Sequence, residues 1–310
     1  MSTDLESPDS PLLAPVPVAS SFWSDLSLLG VVVIWGVNLP VMKVGLSHVE
    51  PFAFNASRLF LSAIVLGVFA LLERTSIPMD RPRDAKKQIL LYALTTSGLY
   101  QLIFLLAVTR TASGNGSLIM ATVPMWTAIL AWLWLGETLS KMARWGLAIA
   151  FLGTMIVALE KGIRADRTEL AGNFLFLLAA LLWAWGTVQS RTVLKFISPM
   201  RLSAVSTAMM LPLHLAFGGW TIPTLLPKLG LREVWIPLLY AGVLSTGFAL
   251  PMWNYGVRHA GAAHAAVFQN LVPIVAIASA WVVRGEPVTQ YQIIGGVLII
   301  SGLVLVRRGK

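Results

Sequence analysis

Within the apolar runs of this 310-residue chain, the polar side chains able to bind a small molecule are the first place to look for function. Amides and aromatics stand out as candidates: Trp35 and Asn38 ahead of Pro40, Tyr100 with Gln101, Asn115, then Trp183, Trp185 and Gln189. Farther on come Trp253, Asn254 and Tyr255 beside Pro251, and His264, Gln269 and Asn270 ahead of Pro273. Amides donate and accept at once, so they can meet both an ammonium and a carboxylate. Aromatic faces can take a cation or stack on an apolar body. This is the chemistry of a binding site for a small amphipathic molecule. The same amides can equally be joints between helices, and the residues alone leave that choice open. Arg58 is the only Lys or Arg well inside an apolar run. It stands about two helical turns after Pro51, so it either snorkels to a membrane surface or faces a cavity and holds an anionic group.

Catalytic and metal-binding patterns are missing from these runs. Glu73, Glu137, Glu160, Glu233 and Glu286 all stand near run ends, which disfavours proton-coupled cation antiport on an embedded carboxylate. His214 and His264 can titrate near neutral pH, with packing as the plainer role. The chain has no cysteine, hence no disulfide or thiolate metal site. It also lacks an H-E-x-x-H run and a Walker-type G-x-x-x-x-G-K-[ST] run. No catalytic residue, metal or cofactor is expected, and ATP is not the driver within this chain. An intramembrane lipid-modifying enzyme is the remote alternative.

Hydrophobic residues make up 56% of the chain and charged ones only 12%, about half the charged share of a soluble domain. Apolar runs of about 20 residues recur along its length, enough for helices to cross a bilayer core. Because backbone groups in lipid must pair internally and the runs are continuous rather than alternating, they are read as helices. Ten spans are predicted, at about 26–46, 52–72, 88–108, 113–135, 143–160, 170–190, 202–220, 235–256, 262–283 and 290–306. Residues 1–25 read as a disordered cytoplasmic tail without the basic start of a secretory signal, and 307–310 as a basic cytoplasmic tail. The net charge of +9 reflects loop Lys and Arg rather than nucleic-acid binding. One side holds Arg74, Arg81, Arg83, Lys86, Lys87, Lys141, Arg144, Arg191, Lys195, Arg201, Arg258, Arg307, Arg308 and Lys310. The other holds Lys43, Arg110, Lys161, Arg164, Arg167, Lys228, Arg232 and Arg284. The richer side carries both termini, which are therefore predicted to be cytoplasmic. Trp132, Trp134, Trp220 and Trp235, near span ends, read as interfacial anchors.

Part of the sequence is written twice. Pro124, Gly136-Glu137, Gly146 and Gly153 recur as Pro273, Gly285-Glu286, Gly295 and Gly302, an offset of 149 residues. Ala112–Gly116 answers to Gly261–Ala265, and Trp35-Gly36 is paired with Trp185-Gly186. This divides the chain into repeat 1 (26–160), a linker loop (161–169) and repeat 2 (170–306). Each repeat holds five spans, an odd number, so the two copies must be inverted in the membrane. Inverted repeats are typical of secondary transporters, which rock one half against the other around a midplane site. Gly136 and Gly285 suit left-handed helix caps, Thr289 with Gln292 fits a capping box, and Glu137 and Glu286 read as structural. Pro124, Pro273 and Pro251 are kink or hinge candidates.

Ten spans and a duplicated five-helix unit, with proline, eleven residues, Gly-Glu, eight residues and glycine closing both copies, resemble the EamA branch of the drug/metabolite transporter superfamily. The resemblance covers residues 26–306. It is nearest to bacterial exporters of amino acids and related metabolites, and implies alternating access through a central cavity between the repeats. The cargo so implied is aromatic or hydrophobic amino acids among others. The location implied is the bacterial inner membrane, as a monomer with no nucleic-acid partner. A multidrug or nucleotide-sugar carrier of the same superfamily is the alternative.

Overall fold

The computed structural model describes residues 22–74, 82–135, 140–158, 166–260, 265, 268–269 and 271–308. Readings that fall on residues 1–21, Gly136-Glu137, 161–165 of the linker loop, His264 and Asn270 lie outside them; residues 167–169, expected in that loop, are already helical behind an Asp166 cap. The described residues form helices and short connections, with no strand among them.

The helices are numbered here in chain order. They are α1 (Phe22–Leu46), α2 (Pro51–Leu72), α3 (Ala85–Val108), α4 (Ser113–Met120 then Val123–Leu135) and α5 (Lys141–Ala158). The second half holds α6 (Arg167–Val193), α7 (Pro199–Gly218), α8 (Arg232–Ala260), α9 (Val272–Arg284) and α10 (Gln290–Arg308). Among the described residues seven helices are long and apolar enough to cross a membrane: α1, α2, α3, α4, α6, α8, and α7 with the turns that continue it to Lys228. Shorter apolar stretches lie in α5, α9 and α10. The N-terminal boundary is corrected: α1 is under way at Phe22, four residues earlier than expected, with Asp25 in its first turn, where an acid favours the helix dipole.

Matched helices run antiparallel to one another, which is the inversion expected from the sequence. Glu50 at the start of α2 accepts from Thr221 just beyond α7 (3.0 Å), while Ser198 at the start of α7 donates to Glu73 at the end of α2 (2.7 Å). Each of these residues is also a cap: Glu50 accepts from the backbone N–H of Ala53 and Ser198 from that of Arg201, ahead of Pro51 and Pro199 at the first helical positions. The remaining packing follows the same exchange. α1 lies on α8 and α9 as α6 lies on α3 and α4; α2 meets α8 as α7 meets α3; α4 packs on α9 and α5 on α10.

The glycines of the repeat explain the last pair. A Cβ on Gly153 would lie 2.6 Å from the Gly295 carbonyl oxygen, and one on Gly302 would lie 2.4 Å from that of Gly146. The motif therefore brings two backbones into contact, the usual use of small residues between membrane helices. Gly285 ends α9 at φ 64° as a left-handed cap, and its N–H bonds Trp281 O at 3.0 Å. Glu286 then reaches across the repeats to the Ser113 backbone N–H (3.1 Å) and hydroxyl (3.3 Å) at the start of α4, with Arg284 alongside at 2.9 Å. Thr289 and Gln292 make the capping box at the head of α10.

Candidate functional site

Two π-helical segments, Ala93–Leu99 in α3 and Tyr240–Phe248 in α8, stand at matching places in the two repeats. Each carries a run of small hydroxyl residues ending in glycine, Thr95-Thr96-Ser97-Gly98 and Ser245-Thr246-Gly247. Thr95 and Thr96 bond back to the carbonyls of Leu91 and Tyr92, and Thr246 to that of Ala241. Such back-bonding competes with the regular ladder, and single π turns often mark functional places. Pro251 follows the second segment, yet the first forms without a proline. Each segment also offers a carbonyl to a ring N–H from another helix. Trp35 Nε1 donates to Ser245 O (3.0 Å), and His214 Nε2 lies 2.7 Å from Ser97 O.

A cavity whose water-reachable volume is about 80 Å³, several times what one water needs, lies against the second segment and the turn that follows the first. Its wall draws on both repeats: Trp35, Asn38, Arg58, Tyr100, Gln101, Phe104, Ser117 and Met120 from the first, Trp183, Ser245, Thr246, Leu250 and Gln269 from the second. The aromatic side is continuous. Trp183 meets Trp35 edge-on at 5.2 Å and Tyr100 at 4.9 Å between ring centroids, and Tyr100 meets Phe104 at 5.4 Å. Trp253 stands against both Trp35 and Trp183 without reaching the wall.

The polar side is organised by Arg58, only 2% exposed. Its Nη2 donates to Gln101 Oε1 (2.7 Å) and Asn55 Oδ1 (2.8 Å), its Nε to Asn55 Oδ1 (3.1 Å), and its Nη1 to Thr246 Oγ1 (3.3 Å). Asn55 in turn lies 3.0 Å from His214 Nδ1. Arg58 therefore points inward, and the snorkelling alternative does not describe it. His214 has both ring nitrogens partnered, as expected of a packing histidine, but what it packs is the Arg58 network.

The other sequence candidates divide. Asn38 and Gln269 reach the wall, and each has a buried carbonyl oxygen without a partner among the described residues. Asn115 is off the wall and accepts from Gln292 Nε2 at 2.8 Å, joining α4 to α10. Asn254, fully buried, ties Tyr92 of α3 (3.3 Å) to Ser203 of α7 (3.0 Å). Trp185 faces away and meets Trp134 at 4.5 Å; the tryptophan that faces Trp35 is Trp183, one helical half-turn earlier. Gln189 is off the wall, and Tyr255 stacks on His259 at 4.1 Å. Pro124 stands directly after the break in α4 at Ala121-Thr122, and Pro273 opens α9. Sequence reading passed over Asn55, Ser117, Ser245 and Thr246. Asn55 carried a usable signal, three residues before Arg58 and so on the same helix face.

Helices of membrane-crossing length, duplicated and inverted around a central cavity, define the transporter class. A match to the EamA-like transporter family over residues 22–159 and again over 170–308 shows that the chain belongs to that family. It is 28% identical over 289 residues to a "Probable amino-acid metabolite efflux pump" of Salmonella typhimurium, covering 90% of this chain and 93% of the relative. It is 26% identical over 280 residues to "Uncharacterized transporter YoaV" of Bacillus subtilis, covering 90% and 95%. A "Probable terminal-alkyne amino-acid exporter" of Streptantibioticus cattleyicolor is 26% identical, with 91% and 92% covered. A solved crystal structure shares the fold at TM-score 0.65 and 16% identity, covering 91% of this chain and 94% of that one.

Proposed function

We propose that the protein is a secondary transporter of the bacterial inner membrane that exports amino acids and related metabolites by alternating access. The observation that carries this reading is the cavity's wall, drawn from both repeats. Rocking one repeat against the other opens such a site to each side in turn. All ten helices span the membrane in this reading, both termini are cytoplasmic, and one chain supplies both halves of the site. Pro124 and Pro273, matched at helix breaks, serve as hinges. An aromatic wall facing amides and a guanidinium suits an amphipathic cargo of amino-acid size. The multidrug alternative fits less well, because a buried cation on the wall repels lipophilic cations.

The test is counterflow of labelled amino acids into liposomes holding the purified protein, with and without a pH gradient. Exchange above protein-free liposomes is expected, without dependence on the gradient. Flux of lipophilic cations but of no amino acid overturns the cargo, and stimulation by the gradient points to proton coupling rather than facilitated diffusion.

A further inference from the structure

We infer that the cavity selects cargo by its carboxylate and that Arg58 is the group that receives it, an inference that rests on the transport reading above. The guanidinium is positioned but not neutralised. All its partners among the described residues are neutral oxygens, those of Asn55, Gln101 and Thr246. They take four of its five N–H groups, which leaves one on Nη1. The polarity of this arrangement is fixed from behind. The Ser97 carbonyl only accepts, so His214 Nε2 must donate to it, and His214 Nδ1 then accepts from the Asn55 amide. That turns the Asn55 oxygen toward Arg58. A cation buried without a counter-ion costs free energy, and a carboxylate entering the cavity supplies the missing charge through a single charge-assisted hydrogen bond to that free N–H.

The second repeat provides an internal control. Where α2 meets the π segment of α8, the contact is Arg58 to Thr246 at 3.3 Å. Where α7 meets the π segment of α3, the matching contact is Ser97 to Ser206 at 3.1 Å, two hydroxyls. Matching is set by Pro51 and Pro199 in the helices and by Gly98 and Gly247 in the π segments. The fold makes this helix contact without a charge, so packing does not require the guanidinium. Its place on the cavity wall gives it another use. The unpartnered oxygens of Asn38 and Gln269 remain as acceptors for an ammonium, and the aromatic wall takes the apolar body. The cargo class is small carboxylates with an apolar or aromatic body; the amino group contributes but is not required.

The experiment is counterflow of labelled phenylalanine by the full chain in liposomes, challenged with an excess of two unlabelled probes. One is 3-phenylpropionate, which lacks the amine, and the other phenethylamine, which lacks the carboxylate. Phenylpropionate is expected to inhibit and phenethylamine to inhibit about 10-fold less or weaker still, the scale of one charge-assisted hydrogen bond. Arg58→Gln is expected to abolish the difference between the probes and Arg58→Lys to keep part of it. Equal inhibition by both probes, or discrimination surviving in Arg58→Gln, overturns the assignment while phenylalanine exchange upholds the transport reading. If Arg58→Gln does not fold, the two probes on the unmodified protein still decide the carboxylate selection, and Arg58→Lys decides the part of Arg58, a discrimination as large as the parent's overturning it. Absence of any phenylalanine exchange, together with no change in cavity tryptophan fluorescence on adding phenylpropionate, overturns the carboxylate class itself.

Discussion

Two regions of this molecule relate its repeats differently, one with the same residues in both copies and one without. Where α5 crosses α10, the two copies are nearly interchangeable: Gly153 presses on the backbone at Gly295, and Gly302 on that at Gly146. Where α2 and α7 meet the π segments, the geometry is kept but the chemistry is not, with Arg58 in one copy and Ser206 in the other. The difference teaches which features belong to the frame. Backbone contact tolerates no added atom, so both copies keep glycine. The cavity edge needs only hydrogen bonding to hold the helices, so one copy is free to carry a charge. The two cap bonds between α2 and α7 show an intermediate case. Both are carboxylate–hydroxyl pairs, but the acid is Glu50 at the cap in one and Glu73 at the far end in the other.

The sharpest break should come at the glycine crossing. Gly153→Leu or Gly302→Leu forces side-chain atoms into a backbone, at the upper end of the ~1–3 kcal/mol cost of overpacking, and should collapse the monodisperse peak in detergent size-exclusion. Gly67→Ala is the control, since nothing lies within 4 Å of the added methyl; a melting temperature equal to or above the parent's is expected. A smaller effect should separate the two π contacts. Thr246→Ala leaves a buried guanidinium N–H without its acceptor, at about 1–3 kcal/mol, whereas Ser97→Ala removes one neutral pair at about 1 kcal/mol. Thermal melts of the two variants should therefore be unequal, and equal losses would show that the charge makes no difference to the contact. Smallest are the caps: Glu50→Ala and Ser198→Ala should each cost about 1 kcal/mol and by similar amounts, measured by the same melts.

Much of the frame was legible because membrane helices advertise themselves by length and apolar content, and because Gly285, the capping box at Thr289 and Gln292, and the paired glycines act through local backbone geometry. The binding surface was legible only in part. Trp35, Asn38, Arg58, Tyr100, Gln101, Trp183 and Gln269 were all candidates and reach one wall. Asn115 and Asn254 have the same chemistry but join helices, to Gln292 and to Ser203 with Tyr92. Nothing in their residue type separates these uses. Trp185 was paired with Trp35 by its neighbouring glycine, yet a shift of two residues turns a helical side chain by about 200°, and Trp183 is the one that faces inward. Thr246 and Ser245 were passed over because hydroxyls in a membrane helix usually satisfy themselves on the preceding turn.

By itself the sequence determined that the chain is helical, duplicated, inverted and closed around small residues, because periodicity, apolar length and glycine spacing act along one helix at a time. Only the tertiary structure decided that Arg58 turns inward onto neutral partners, that His214 stands behind it, and that Thr246 of the second π segment meets Arg58 on the cavity wall. Those facts depend on which helices meet and at what rotation. Side chains far apart in sequence, Arg58 with Thr246 and Asn55 with His214, settle that together.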